Sequence, residues 1–405
     1  MKSTEQRTIV LLSIGHLVLD SYSSFLVPIL PLLSLKLGLT PAQAGWLIPV
    51  MMISSSLMQP VYGIISDRYF KRALAVFGPL VAAIFISSIG LANSVPMLLA
   101  IVVVGGIGIG AFHPQAAALS HRAVSTWMPE RQGTVMSVFS SSGTVGYALG
   151  PLIISSAVSW WGLEHSYYTM VFGIVASALL WLYCPVQEAP HREHSAPPLS
   201  QLLKAAWVPL TILYFAVVLR SATSVSIQSY LPFLLKDRGL TLQQGSLIIT
   251  GFIFFGGIGG FFGGALADRF GARRVSMIAV CLACPVLILG LLTPGPLGYG
   301  LIMLGGTALN LPLPIAVVMA QRLVPGGAST VSALVMGFAW GLGAMMTPVT
   351  GKLTEMVGLP KALLIISILP IISAILFWKY PKDQLARRKP IEVAASEGFA
   401  VAESN

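Results

Sequence analysis

Stretches of about 20 apolar residues recur along nearly the whole chain, each separated from the next by a short polar connection, and this constrains the fold more than any other feature. One such stretch, wound as a helix, crosses a hydrocarbon core of roughly 30 Å. Backbone placed in lipid must satisfy its own hydrogen bonds, which leaves helices or a closed barrel. Barrel strands alternate apolar and polar residues over about ten positions. Here the runs are continuous, twice that length and rich in Gly, Ala, Leu and Ile, so helices follow. With 55% hydrophobic and 9% charged residues and a mean hydropathy of +0.83, the chain is too apolar to fold in water.

The apolar windows predict an all-α polytopic membrane protein of twelve transmembrane helices, near 8–34, 41–66, 73–93, 96–119, 131–157, 166–184, 205–235, 242–267, 273–293, 297–322, 328–353 and 360–379. The longest internal polar stretch, 185–204, holds His191, Arg192, Glu193, His194 and Pro197-Pro198 and reads as a cytoplasmic linker. It divides residues 1–184 from 205–380, and 381–405 follow as a flexible cytoplasmic tail. The two parts resemble each other. At an offset of 201, Pro31 meets Pro232, Gly38-Leu39-Thr40 meets Gly239-Leu240-Thr241, Gly63 meets Gly264, Asp67-Arg68 meets Asp268-Arg269, and Arg72 meets Arg273. A register held over some forty residues indicates an internal repeat. Two pseudo-symmetric six-helix bundles are expected, with a binding site between them near the midplane.

The net charge of +10 raises a nucleic-acid partner as an idea, but the charges sit at helix ends and not on a basic face. With the N-terminus cytoplasmic, eighteen Lys and Arg fall on that side against five on the other, namely Lys36, Lys236, Arg238, Lys352 and Lys361. The positive-inside bias thus places both termini in the cytoplasm and accounts for the charge without nucleic acid. The N-terminus lacks a small-residue cleavage site and carries Asp20 within its apolar run, so it reads as a retained span. Cys281 and Cys284 have C-x-x-C spacing but no βαβ setting; with Cys184 they read as packing residues.

Two connections carry a shared pattern. Gly63 to Arg72 contains Asp67-Arg68, and Gly264 to Arg274 contains Asp268-Arg269 and Arg273. Glycine lets helices approach closely, and a carboxylate can accept from a helix end or pair with Arg, so these residues are candidate gating elements. Both loops resemble the G-x-x-x-D-R-x-G-R-R pattern of the major facilitator superfamily, the first with Phe70 where a Gly is usual. In the fifth span Gly143, Gly146 and Gly150-Pro151 partly resemble the glycine-rich antiporter motif of that superfamily, with Ile153 and Ile154 where its trailing glycines belong. Antiport gating and simple close packing with a proline kink are both open readings of that stretch.

Few ionisable groups remain at membrane depth: His16 and Asp20 in the first span, His113 in the fourth and Arg220 in the seventh. An ionised group at a helix centre costs roughly 2.5–3.5 kcal/mol on insertion scales, so each needs a cavity or a partner. His16 and Asp20 are spaced i, i+4 and share one helical face. They are candidates for proton coupling, set against a purely structural pair. His113 precedes Pro114, whose kink can aim His113 and Gln115 into a cavity, against a packing role for the His. Arg220 lies among Ser221, Thr223, Ser224, Ser226, Gln228 and Ser229. Its planar fork suits a carboxylate, phosphate or phosphonate, and the competing reading makes it the charge partner of Asp20. Gln59, Tyr230, Asn310, Gln321 and Trp340 complete the candidate substrate contacts.

His16-Leu-Val-Leu-Asp20, Gln59-Pro60, Phe112-His113-Pro114 and Ala320-Gln321-x-Leu323-x-Pro325 resemble the fosmidomycin resistance protein branch of the superfamily over most of the chain. The resemblance implies a proton-driven drug exporter of the bacterial inner membrane, with Asp20, His16 and His113 in coupling or binding. It also implies Lys where this chain has Arg220, which keeps the charge and changes the fork. The expected function is a secondary active antiporter exporting a small anionic or amphipathic compound. A proton-coupled importer of an organic anion and a transport-inactive receptor are the alternatives. No Walker A loop and no convergent nucleophile and base are visible, so neither ATP use nor an enzyme is expected. The expected partners are the lipid bilayer, protons and a small anionic solute, for a monomer without cofactor or metal.

Overall fold

The computed structural model describes residues 2–69, 72–185, 199–324 and 328–381. Among these there are no strands, and twelve helices are long and apolar enough to cross a membrane. They are α1 (Thr4–Leu37), α2 (Pro41–Ile65), α3 (Ala73–Leu91), α4 (Val95–Trp127), α5 (Pro129–Trp161), α6 (Leu163–Tyr183), α7 (Ala206–Asp237), α8 (Leu242–Phe270), α9 (Ala272–Leu292), α10 (Pro296–Leu323), α11 (Thr330–Val357) and α12 (Leu359–Lys379). Each overlaps an expected span. The chief difference is α4, which continues eight residues past its expected end through Ser120, His121 and Arg122, because a helix can run on into water where its apolar window has stopped. The linker residues 186–198 and the tail 382–405 lie outside the described residues.

The repeat is visible in local chemistry. Thr40 and Thr241 each open a helix with a reciprocal capping box, to Gln43 and Gln244, with bonds of 3.0 and 3.3 Å in both copies. Gly38 and Gly239 turn the preceding chain with φ of 64° and 81°, a region L side chains avoid. Arg72 donates to the carbonyl of Cys184 and lies over the Trp181 ring, at the end of α6. Arg273 donates to the carbonyls of Phe377 and Trp378, at the end of α12. In each bundle the same arginine therefore neutralises the exposed carbonyls of the sixth helix.

α5 packs on α1 through its glycines. A Cβ at Gly146 would collide with the Leu17 carbonyl, and one at Gly150 with Ser24 Oγ and the Ser21 carbonyl. Backbone cannot yield as a flexible side chain can, so Gly150→Val is expected to cost at least about 1–3 kcal/mol and to lower the yield of folded, monodisperse protein sharply. Gly133→Ala, on the same helix with nothing within 4 Å, is expected to be neutral or to gain up to about 1 kcal/mol. Thermal unfolding followed by size-exclusion chromatography separates the two.

The bundles meet along α2 with α11 and α5 with α8. At the face remote from the termini, Tyr230 Oη donates to the Pro41 carbonyl at 2.7 Å with the Thr347 carbonyl at 3.0 Å. Thr347 Oγ1 donates to the Gly45 carbonyl at 2.7 Å, and the Ala42 amide donates to Glu355 at 3.2 Å. Gly45 and Gly351 have no room there for a Cβ. Midway, a Cβ at Gly257 of α8 would come within 2.9 Å of Thr144 on α5. Nearer the termini Gly133 of α5 and Gly264 of α8 have nothing within 4 Å, and Asp268, Arg269 and Phe270 are exposed. The bundles are thus hydrogen-bonded to each other at the face remote from the termini, while Gly133 and Gly264 nearer the termini have open space beside them.

Candidate functional site

α1 and α4 cross in the N-terminal bundle and bring His16, Asp20 and His113 together. His16 Nε2 lies 3.3 Å from Asp20 Oδ2, and His113 Nε2 lies 3.4 Å from Asp20 Oδ1. The i, i+4 spacing accounts for the first contact; the second is tertiary and joins the two helices. Phe139 of α5 stacks on the His16 ring with centroids 4.6 Å apart, and Phe112 closes another side at 5.9 Å. The Ser23 hydroxyl also reaches Asp20, and the Asp20 and His113 side chains keep 18% and 23% of their exposure.

A hydrogen bond fixes the chemistry of His16. Its Nδ1 is 2.9 Å from the Phe139 carbonyl, which can only accept, so Nδ1 carries the proton. The Nε2 facing Asp20 is then either protonated or a bare lone pair aimed at a carboxylate oxygen. Two acceptors 3.3 Å apart repel unless something positive lies between them. The contact is favourable when a proton lies between the two atoms, carried by His16 Nε2 or by Asp20.

Arg220 is fully buried in the C-terminal bundle. Its guanidinium donates to the Leu309 carbonyl and to Asn310 Oδ1, both at 3.0 Å, and to Ser221 Oγ at 2.9 Å, while Nε has no partner. Asn310 is oriented in turn by donating from Nδ2 to the Gly306 carbonyl at 2.9 Å. Among the described residues no carboxylate lies within ion-pair distance of Arg220, so pairing with Asp20 is not made in this conformation; the two imidazoles hold Asp20 instead. A guanidinium with only neutral partners and an idle N–H can accept an anion that arrives.

Other expected contacts are placed differently. Gln115 is buried inside the N-terminal bundle, where its Oε1 accepts from the Ala75 amide at 2.6 Å and caps α3, so Pro114 does not turn it into a cavity. Tyr230 ties the two bundles at the face remote from the termini, with its hydroxyl engaged there. Gln228 donates to Tyr147 Oη at 2.9 Å across the bundle interface, and Gln321 donates to Ser332 Oγ at 2.8 Å between α10 and α11. Gln59 is half-buried just past a π-helical segment at Ile53–Leu57. Trp340 packs half-buried with its indole N–H unpartnered, the one aromatic candidate with a free donor.

The gating candidates lie at helix contacts and helix ends. Gly63 has only Pro114 nearby, at 3.7 Å, and Gly264 faces open space, so neither makes a close helix contact in this conformation. Gly146, Gly150 and Pro151 lie in α5, and the two glycines pack α5 on α1 inside one bundle. Arg72 and Arg273 hold helix ends within their own bundles. Asp268 and Arg269 are exposed, and the Asp67 and Arg68 side chains lie outside the described residues. Residues absent from the sequence reading are Phe139, Tyr147 and Thr347, which reach the site through ring, hydroxyl or carbonyl contacts that leave no periodic signal.

Comparison with known proteins agrees with this architecture. Residues 12–243 and 213–402 match the model of the Major Facilitator Superfamily. The chain is 29% identical to the uncharacterized MFS-type transporter YfnC of Bacillus subtilis, over 94% of each chain. It is 26% identical to the fosmidomycin resistance protein of Escherichia coli, covering 89% of this chain and 90% of that one. It is 24% identical to the multi-drug resistance efflux pump PmrA of Streptococcus pneumoniae, with 84% and 86% covered. Among solved structures, a bacterial homolog of the human lysosomal transporter Spinster, inward-facing and unoccupied, superposes with a TM-score of 0.81 at 16% identity over 94% of this chain and 97% of that one. With twelve membrane-crossing helices in two related bundles and family matches spanning both, the chain belongs to the Major Facilitator Superfamily and is a multi-pass membrane transporter.

Proposed function

We propose that the protein is a proton-coupled antiporter that exports a small anionic compound from the cytoplasm by alternating access, with residues 1–184 and 205–380 rocking about the site between them. The observation that carries this reading is the His16–Asp20–His113 cluster in one bundle, together with a buried arginine that lacks any anion in the other. Asp20 carries the proton with His16 and His113 sharing it. Arg220 receives the anion, exchanging Asn310 or Ser221 for the substrate when α7 and α10 rearrange, since in the present conformation it is sealed. Proton and anion then occupy opposite bundles, and neutralising each stored charge by its own ligand lowers the cost of closing the bundles over it. Similarity to a fosmidomycin resistance protein and to a multi-drug efflux pump supports export and an anionic, phosphonate-like cargo.

Purified protein in liposomes tests this. Adding fosmidomycin or another small phosphonate to one side is expected to move protons the opposite way, read by an entrapped pH-sensitive dye. Transport of the anion with no proton movement would exclude antiport and leave a uniporter.

A further inference from the structure

We propose that His16, Asp20 and His113 also form a site for one divalent transition-metal cation of the zinc class. One ligand atom from each residue can be chosen so that all three lie within 4.8 Å of one another. The shortest contacts reach the two oxygens of one carboxylate, His16 Nε2 to Asp20 Oδ2 at 3.3 Å and His113 Nε2 to Asp20 Oδ1 at 3.4 Å. A tetrahedral ion with bonds of about 2.0–2.1 Å needs edges of roughly 3.4 Å, so the two imidazoles and one Asp20 oxygen, already within 4.8 Å of one another, draw in around the ion.

The surroundings match as well. His16 Nδ1–H donates to the Phe139 carbonyl, which leaves Nε2 as the ring nitrogen that can offer a lone pair inward, the outer-shell hydrogen bond that orients metal-ligating histidines. Phe139 and Phe112 hold the His16 ring from two sides. Two imidazoles and one carboxylate favour zinc, cobalt or nickel over magnesium and calcium, which prefer oxygen throughout. Three protein ligands leave a fourth position for water. The residual exposure of Asp20 and His113 leaves a path for a hydrated ion.

The consequence for transport rests on the coupling reading above. An ion bound at Asp20 occupies the carboxylate that the proton needs, so zinc is expected to inhibit antiport. Binding itself stands on geometry alone and is measured without substrate or gradient, so either idea can fail while the other stands.

The probe is Co2+, titrated into the full-length protein carrying no histidine tag, in detergent, and followed by visible absorption. One equivalent per chain is expected, with the intense ligand-field bands of a four- or five-coordinate ion, displaced by Zn2+. His121→Asn with His165→Asn is expected to bind as the parent does, whereas Asp20→Asn is expected to bind at least tenfold more weakly. His113→Cys keeps a ligand and is expected to add a thiolate-to-cobalt charge-transfer band, which reports the ligand's identity even if Asp20→Asn folds poorly. Unchanged affinity in a monodisperse Asp20→Asn protein, absence of the new band in His113→Cys, or no binding to the parent at millimolar Co2+ would each overturn the proposal.

Discussion

Asp20→Asn is expected to reduce substrate-driven proton movement to the level of empty liposomes while leaving the protein folded and able to exchange labelled substrate across the membrane. Asn keeps the shape of Asp and one carbonyl oxygen for His16 and His113, but it has no proton to carry and no negative charge to draw one in. The bundle should tolerate the change. In the parent the carboxylate faces two imidazoles 3.3 and 3.4 Å away, and the amide can donate to one and accept from the other. Removing a charge from membrane depth offsets the lost charge-assisted contacts, each about 1.5–3 kcal/mol, against an insertion cost of similar size, roughly 2.5–3.5 kcal/mol. Normal coupling in Asp20→Asn would place the proton site elsewhere. His113→Asn is expected to weaken coupling without abolishing it, because His16 still faces the carboxylate.

How much of this was open to a reader of the sequence differs between the fold and the site. The twelve spans follow from solvent alone, since lipid forces each apolar run of about 20 residues to be a self-satisfied helix. The repeat followed from rare residue types: capping threonines, glycines with positive φ and paired arginines are set by local backbone geometry, so they survive at a fixed offset in both bundles. Site contacts are set by tertiary packing, and there the sequence gives less. His16 and Asp20 meet because a helix brings i and i+4 together, a local rule. Nothing in the spacing from Asp20 to His113 specifies that α1 and α4 cross at that height. Gln115 and Tyr230 show the reverse error: a polar residue in a span announces that it needs a partner but not whether the partner is substrate, a helix end or the other bundle. The signature glycines Gly63 and Gly264 make no close helix contact in this conformation, so a residue type chosen for close approach does not tell which partner it approaches.

Arg220→Met is expected to keep the protein as stable as the parent and to cut its response to anions by half or more. Two opposing effects set the stability. Replacing a buried charge by an apolar side chain of similar length is neutral or stabilising by about 1–4 kcal/mol. The Leu309 carbonyl and Asn310 Oδ1 then lose their donor at 3.0 Å, which costs about 1–3 kcal/mol for each group left unsatisfied. These nearly cancel, so the unfolding midpoint in detergent should move by only a few degrees. Binding has no such cancellation. A charge-assisted contact of about 1.5–3 kcal/mol corresponds to a roughly tenfold to hundredfold loss of affinity. A saturating anion at 100 times its Kd should stabilise the parent by about 2.7 kcal/mol, and at the same concentration the variant should be stabilised by only about 0.4–1.4 kcal/mol. Arg220→Lys keeps the charge but loses the fork, so it is expected to retain part of the rise and to shift preference among phosphonates and carboxylates. If Arg220→Met unfolds far below the parent yet transports the anion normally wherever it is folded, the guanidinium is a structural bridge from α7 to α10, and the anion binds elsewhere, with the free indole N–H of Trp340 the next donor to test.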